Sequence, residues 1–203
     1  LDLLGAVRNG YLYTSTDGGS TWTERSSAGR RQWSALASSS DGSVLYAVAG
    51  SAVFLSTNHG VSWTQRPAGG FGGPSAIACS SDGSKVAVAI TYNDYIYTST
   101  DFGSTWTQRT NSGNRNWSGI TMSLDGQKIA ATSGNVINTG SVFRSTNAGQ
   151  DWTEFVATSG RKWTSIAGSG DGAVLAATVY GDFVYVSTDS GASWSGQSDA
   201  ADP

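Results

Sequence analysis

The chain is poor in the residues that build reactive centres. Cys79 is its single cysteine, so no disulfide framework and no thiolate metal cluster can form within it. His59 is its single histidine, which excludes any site that needs two imidazoles. Proline occurs only 3 times in 203 residues, and 13% of residues are charged. The net charge of −3 offers no concentrated basic surface, so nucleic acid is not an expected partner. No run of about 18 apolar residues exists, so no membrane span is expected. The charged start and apolar core of a secretory signal are likewise missing from the opening residues.

Glycine, by contrast, is abundant at 27 residues, a profile that suits short strands joined by tight turns. Its distribution is periodic. Five segments align without gaps: Ser15 to Trp22, Ser56 to Trp63, Ser99 to Trp106, Ser145 to Trp152 and Ser187 to Trp194. Each reads Ser-Thr-Asp/Asn-x-Gly-x-x-Trp, and the tryptophans are spaced by 41, 43, 46 and 42 residues. A second element, ending in Asp-Gly, recurs between them at Trp33–Gly42, Ser75–Gly83, Trp117–Gly126 and Trp163–Gly172. All 8 tryptophans occupy one of these two repeat positions. Such self-similarity outranks every other fold signal.

Each unit reads as four strands, A to D. Strand A ends in the Asp-Gly turn, and strand B follows, as in Lys85–Ile90. Strand C carries an aliphatic–aromatic pair in every copy: Leu12-Tyr13, Val53-Phe54, Ile96-Tyr97, Val142-Phe143 and Val184-Tyr185. Strand D begins at the repeat tryptophan. Neighbouring residues of a strand point to opposite faces, so an apolar pair means that both faces are covered. Radially stacked blades do that, and the period matches a propeller blade. The expectation is an all-β, five-bladed β-propeller of four-stranded antiparallel blades. Its units run approximately 1–26, 27–67, 68–110, 111–156 and 157–198 within a single domain. The first unit opens in strand B and lacks its inner strand, leaving nineteen strands where five full blades have twenty. The tail Ser195–Pro203 reads as too polar to supply the missing one.

The five motifs resemble the Asp-box, or BNR repeat, and the whole chain resembles Asp-box propellers. That group includes sialidases, sortilin-type receptor ectodomains and photosystem II assembly factors. The resemblance implies a folding device at the C–D turn, made here by Asp17, Asn58, Asp101, Asn147 and Asp189 with Trp22, Trp63, Trp106, Trp152 and Trp194. Physical chemistry agrees: a short Asp or Asn accepts N–H bonds within a turn, glycine supplies positive φ, and the indole packs across the hairpin. Two asparagines among the five argue for an acceptor, not a nucleophile or a metal ligand. A sialidase site would add an arginine cluster, a Tyr–Glu pair and an acid. The only glutamates, Glu24 and Glu154, share one register on the outermost strand, and no Arg-Ile-Pro segment occurs. Five blades instead of six weigh the same way. No enzyme activity, cofactor or metal is therefore expected, and an extracellular or periplasmic setting is favoured.

A ligand is expected on the face formed by the D–A and B–C loops. The candidates there are Arg30, Arg31, Trp33, Tyr92, Asp94, Arg115, Trp117, Arg161, Lys162, Trp163, Tyr180 and Asp182. One reading makes them repeated pockets for a glycan or a protein, with rings that stack on sugars and guanidinium forks for anions. The other makes Trp33, Trp117 and Trp163 plugs between blades, covered by the arginines. The third loop, Pro67–Pro74, lacks both Arg and Trp, which keeps the binding reading open because a strict plug is not dispensable. Cys79 reads as a packed inner-strand residue and His59 as a solvated turn residue. Asp41, Asp82, Asp125 and Asp171 read as hairpin-turn residues, not calcium ligands. The alternative to binding is a purely structural repeat of a larger assembly, in which the edge of the incomplete first blade docks another chain.

Overall fold

The computed structural model describes residues 2–67 and 69–197. They form nineteen strands in five antiparallel sheets. The first sheet holds β1 (Leu3–Ala6), β2 (Leu12–Ser15) and β3 (Thr23–Arg25). The second holds β4 (Trp33–Ser38), β5 (Leu45–Ala49), β6 (Ala52–Ser56) and β7 (Thr64–Gln65). In the third are β8 (Pro74–Cys79), β9 (Val86–Ile90), β10 (Ile96–Ser99) and β11 (Thr107–Arg109). The fourth contains β12 (Trp117–Met122), β13 (Ile129–Ser133), β14 (Val142–Ser145) and β15 (Thr153–Phe155). The fifth contains β16 (Trp163–Gly168), β17 (Leu175–Val179), β18 (Val184–Ser187) and β19 (Ser195–Gln197). Each sheet is a meander in which every strand pairs with the next. Ser195–Gln197, from the tail, thus form an outer strand, and residues 198–203 lie outside the described part.

The strands β4, β8, β12 and β16 are one another's neighbours across successive sheets, so the sheets fan outward from that inner row. Side chains of both faces then meet a neighbouring sheet. Every residue of β9 and β13 is buried. The packing is close: a Cβ on Gly119 would lie 2.9 Å from the Ile166 nitrogen of the next sheet, so β12 and β16 touch backbone to backbone there. Four core clusters each combine side chains from adjacent sheets, as where Ala130 and Val142 meet Trp163 and Ile166.

The repeated Ser-Thr-Asp/Asn turns join third and fourth strands. Asp17 accepts the Thr21 N–H at 2.9 Å, and Asp101 and Asp189 accept those of Thr105 and Ser193 at 2.8 and 2.9 Å. Asn58 and Asn147 do the same for Ser62 and Asp151, each at 2.9 Å. The preceding serine hydroxyl takes the N–H of the repeat glycine at 2.8–2.9 Å in all five copies. Both central residues are left-handed: His59, Phe102, Ala148 and Ser190 have φ near 55–58°, followed by glycines at 73–94°. Glycine relieves only the second of these positions. The variable residue pays for its strain through a backbone bond to the neighbouring hairpin, such as His59 N–H to Ser43 O at 3.1 Å.

A chain of backbone bonds ties the first hairpin turns together across sheets two to five. Ser40 donates to Ser81, Ser81 to Leu124, and Leu124 to Gly170, at 2.7–2.9 Å. Lys85 and Lys128 reinforce it, reaching the carbonyls of Asp125 and Asp171 on the next sheet at 2.7 and 2.8 Å.

Candidate binding face

The loops opposite those turns interlock. Isolated bridges join Gly10 to Arg31, Asp94 to Arg115 and Gly140 to Arg161, so each loop after a second strand meets the loop that leads into the next inner strand. This brings the sequence-predicted residues to one face, but with different roles for its members.

Trp33, Trp117 and Trp163 are buried, at the start of their inner strands. Their indole N–H groups donate inward, to Gly10 O, Asp94 O and Thr158 O, at 2.9–3.1 Å. Each ring lies edge-on to the aromatic of its own third strand: Phe54, Phe143 and Tyr185, with centroids 5.1–5.4 Å apart. Of the two expectations for these rings, their burial and edge-on aromatic partners favour the plug between blades. The third loop does not break the pattern either. Phe71 fills the corresponding space, edge-on to Tyr97 at 5.2 Å and to Trp106 at 5.3 Å. Among the described residues the buried Trp106 N–H has no partner, whereas the other four repeat tryptophans donate to their turn glycine at 3.0–3.1 Å.

The arginines seal these plugs. Arg31, Arg115 and Arg161 place their guanidinium groups over Phe54, Phe143 and Tyr185 at 4.4, 4.3 and 4.7 Å. Their N–H groups donate to local carbonyls of Ala28, Ser112 and Ala157. Arg30 stands 5.7 Å from the Tyr11 ring and donates to Asn9 O. Asp94 accepts from the Tyr95 N–H and the Tyr97 hydroxyl, and Asp182 from the Phe183 N–H and the Tyr185 hydroxyl. Both carboxylates thus fasten their own loops. Lys162 is half-buried, and its carbonyl accepts the Tyr180 N–H. Tyr92 and Tyr180 are large exposed rings, Tyr92 with 87% of its surface exposed.

Two hollows on this face are lined by described residues. An open cleft of about 480 Å³ is lined by Arg8, Gln32, Trp33, Ser34, Pro74 and Tyr92. A smaller one of about 200 Å³ lies beside Arg115, Asn116, Ser133 and Ser141. Glu154 borders the second: it accepts the Ser141 hydroxyl at 2.6 Å and lies 3.8 Å from the Arg115 guanidinium. Its rim position therefore does not isolate it, whereas among the described residues Glu24 accepts only the Tyr13 hydroxyl. Sequence reasoning missed Arg8, Phe71 and the long loop carrying the exposed Val136 and Ile137. That loop makes the 46-residue repeat the longest, which was the available signal.

Ionisable groups elsewhere serve turns. Serine and threonine hydroxyls with backbone N–H groups hold the Asp101 and Asp189 carboxyls down at about 2, and the Thr21 N–H and hydroxyl depress Asp17 further. Asp41 is held at about 2 chiefly by the Ser39 hydroxyl. Burial pushes the Cys79 thiol up to about 12, so it is an inert packing group. His59 is exposed, 3.2 Å from Asp2. Among the described residues no three His, Cys, Asp or Glu side chains are grouped to hold a metal, and no helix is long and apolar enough to cross a membrane.

No family model and no curated protein matches the sequence. Solved structures do. One in a nidogen/laminin complex superposes with a TM-score of 0.73 at 15% identity, over 92% of this chain and 73% of that one. The chain is a β-propeller. A GH74 xyloglucanase from Xanthomonas campestris matches with a TM-score of 0.68 at 16% identity, over 94% of the propeller and 35% of the enzyme. A YCF48 structure with a bound D1 peptide matches with a TM-score of 0.64 at 21% identity, over 95% and 63%. The propeller thus spans about a third of the xyloglucanase. At these identities the likeness establishes fold alone.

Proposed function

We propose that this propeller is a non-catalytic protein-binding scaffold whose docking face is formed by the loops after the second strands. The carrying observation is that Tyr92, Ile137 and Tyr180, from three different blades, stand exposed at those loop tips. Large apolar and aromatic residues held on rigid loops are the usual anchors of protein interfaces. The neighbours with printed partners, laminin and a D1 peptide, are in keeping with this reading. Against glycan binding stands the burial of the three plug tryptophans, and against catalysis the commitment of each turn aspartate to its own turn. The turns themselves are assigned to the Asp-box class on their motif and their Ser–Asp/Asn hydrogen bonding.

A photo-reactive residue at position 92 tests the face. Crosslinks to a protein partner should form from position 92 and not from position 61, on the opposite turns. They should fail in an Ile137→Asp/Tyr180→Asp chain that folds normally. Crosslinking from both positions alike, or saturable binding on a glycan array, contradicts the proposal. A purely structural role in a larger assembly is the second reading, favoured by the close likeness of the five repeat units.

A further inference from the structure

The fourth blade departs from its neighbours in one loop. Residues 134–141 join its second and third strands, where residues 50–51, 91–95 and 180–183 do so in blades two, three and five. The longer loop walls the hollow of about 200 Å³ beside Arg115 and Asn116. Two lining positions are also peculiar to this blade. Asn116 precedes the inner-strand tryptophan, where Gln32 and Lys162 stand in blades two and five. Ser141 precedes the aliphatic–aromatic pair of the third strand, where Tyr11, Tyr95 and Phe183 stand in blades one, three and five. In the fifth blade that ring lies by the fourth strand, 3.5 Å from where Gly196 would carry a Cβ. Glu154 holds the matching register in the fourth blade, and its carboxylate takes the Ser141 hydroxyl.

The hollow has donors to spare, and its acceptors are already used. Asn116 Oδ1 accepts the Tyr92 and Asn93 N–H groups at 3.0 and 3.1 Å, which fixes the amide and leaves Nδ2 over. Ser133 Oγ accepts the Ser141 N–H at 3.1 Å. Arg115 spends Nε on the Ser112 carbonyl and lies over Phe143, while its terminal nitrogen stands 3.8 Å from Glu154, too far for a hydrogen bond. Among the described residues Asn116 Nδ2, Asn138 Nδ2 and the Thr139 hydroxyl have no partner. The Gly140–Arg161 bridge brings a second cation to the loop, and Asp94, on the other side, is turned into its own loop. Surplus donors call for a group that only accepts, and a carboxylate does so with one charge. A sugar hydroxyl would ask for acceptors, and a doubly charged phosphate would meet Glu154. The surroundings are apolar: Val136 and Ile137 on the loop are 48% and 78% exposed, and Tyr92 projects beyond Asn116.

Resting on the protein-docking reading of this face, we propose that the hollow takes a glutamate or aspartate side chain of the partner. The residue next to it in the partner is apolar and packs on Val136 and Ile137. Asn116 Nδ2 and the Arg115 guanidinium hold the carboxylate by charge-assisted hydrogen bonds. Glu154 is the resident competitor, since it stands beside Arg115 without closing a bond to it.

The probe is the blocked peptide acetyl-Gly-Glu-Leu-Gly-amide, titrated into the isotope-labelled chain by NMR beside its Gln counterpart. The Glu peptide should saturate, with shifts centred on the Asn116 side-chain amide and Ile137, and bind about tenfold or more tighter than the Gln peptide. Asn116→Asp keeps the acceptor for the Tyr92 and Asn93 N–H groups but turns the free donor into an acceptor. It should abolish binding and leave the melting temperature unchanged. Glu154→Gln removes the competitor and should tighten binding about threefold. No saturable shift, equal binding of the two peptides, or indifference to Asn116→Asp overturns the proposal. So does weaker binding in Glu154→Gln. Acetate that binds as tightly as the Glu peptide would overturn it in favour of a plain anion site. Crosslinks from position 92 that survive Asn116→Asp undiminished would sink the acidic subsite and leave the docking face standing.

Discussion

The fourth and fifth blades differ mainly in what lies beside them. Val142 and Val184 hold the same register position, each the first residue of its third strand, and each pairs with a threonine of the second. Val142 is fully buried, while Val184 is 44% exposed. Thr132 and Thr178, their partners, show the same contrast. The fifth blade covers the fourth, and nothing described covers the fifth. Among the described residues no hydrogen bond links the first and fifth blades, and Trp22 and Val184 each lie on an exposed face of their blade. Stability in such an array comes from each interface between neighbours, and the end units have one interface fewer.

The contrast can be broken most severely with a charge. Val142→Asp should destabilise the fold by about 4 kcal/mol or more, because a carboxylate is stranded between two sheets. Val184→Asp, in the matching position, should change stability by less than about 0.5 kcal/mol. Urea denaturation of both variants measures the difference, and equal losses would mean that the fifth blade is covered after all. Next come the tryptophans. Removing the plug with Trp117→Ala should cost about 3–5 kcal/mol, against about 1 kcal/mol for the half-exposed Trp22→Ala. Smaller still, Gly119→Val should cost about 1–3 kcal/mol by pushing β12 off β16. Ser165→Val, the same position in the fifth blade, should be tolerated within about 0.5 kcal/mol, since no sixth strand row meets it.

The repeat, the strand order and the incomplete first blade were legible because period-two apolar patterning and fixed-offset turn residues are local properties. The fate of the loop residues was not. Aligned by position, Pro74 replaces a tryptophan and the socket looks empty, yet Phe71 reaches it from three residues upstream. Nothing local distinguishes Trp117 stacked on a sugar from Trp117 packed edge-on to Phe143. Exposure of the end faces was equally hidden, since Val142 and Val184 are identical in type and register. Burial there depends on the next sheet, which no single unit encodes. The left-handed residue before each turn glycine also escaped notice, because His59, Phe102, Ala148 and Ser190 share no chemistry that announces it.

The smallest expected effect lies in the turns, where middle and end blades should behave alike. The carboxyls of Asp17, Asp101 and Asp189 have lower pKa values folded than their ordinary 3.8. Their contribution is therefore complete above about pH 4 and is lost as pH falls toward the folded values, about 2 for Asp101 and Asp189. The melting temperature should hold from pH 7 to about 4.5 and decline below it. Replacing these aspartates by asparagine, as Asn58 and Asn147 already stand in their turns, should flatten that decline. An unchanged acid profile in the triple Asp→Asn chain would show that the turn carboxyls do not govern it.

Residue-resolved amide hydrogen exchange tests the unequal cover of the blades most directly. β13 and β17 are both paired on two sides, so their backbone hydrogen bonding is equivalent and only the cover beside the sheet differs. The amides of Ile129–Ser133 should exchange at least tenfold more slowly than those of Leu175–Val179, with Leu3–Ala6 fastest of the three. Equal protection of β13 and β17 would mean that the outer face of the fifth blade is covered in solution, and the contrast between the two blades would have to be abandoned.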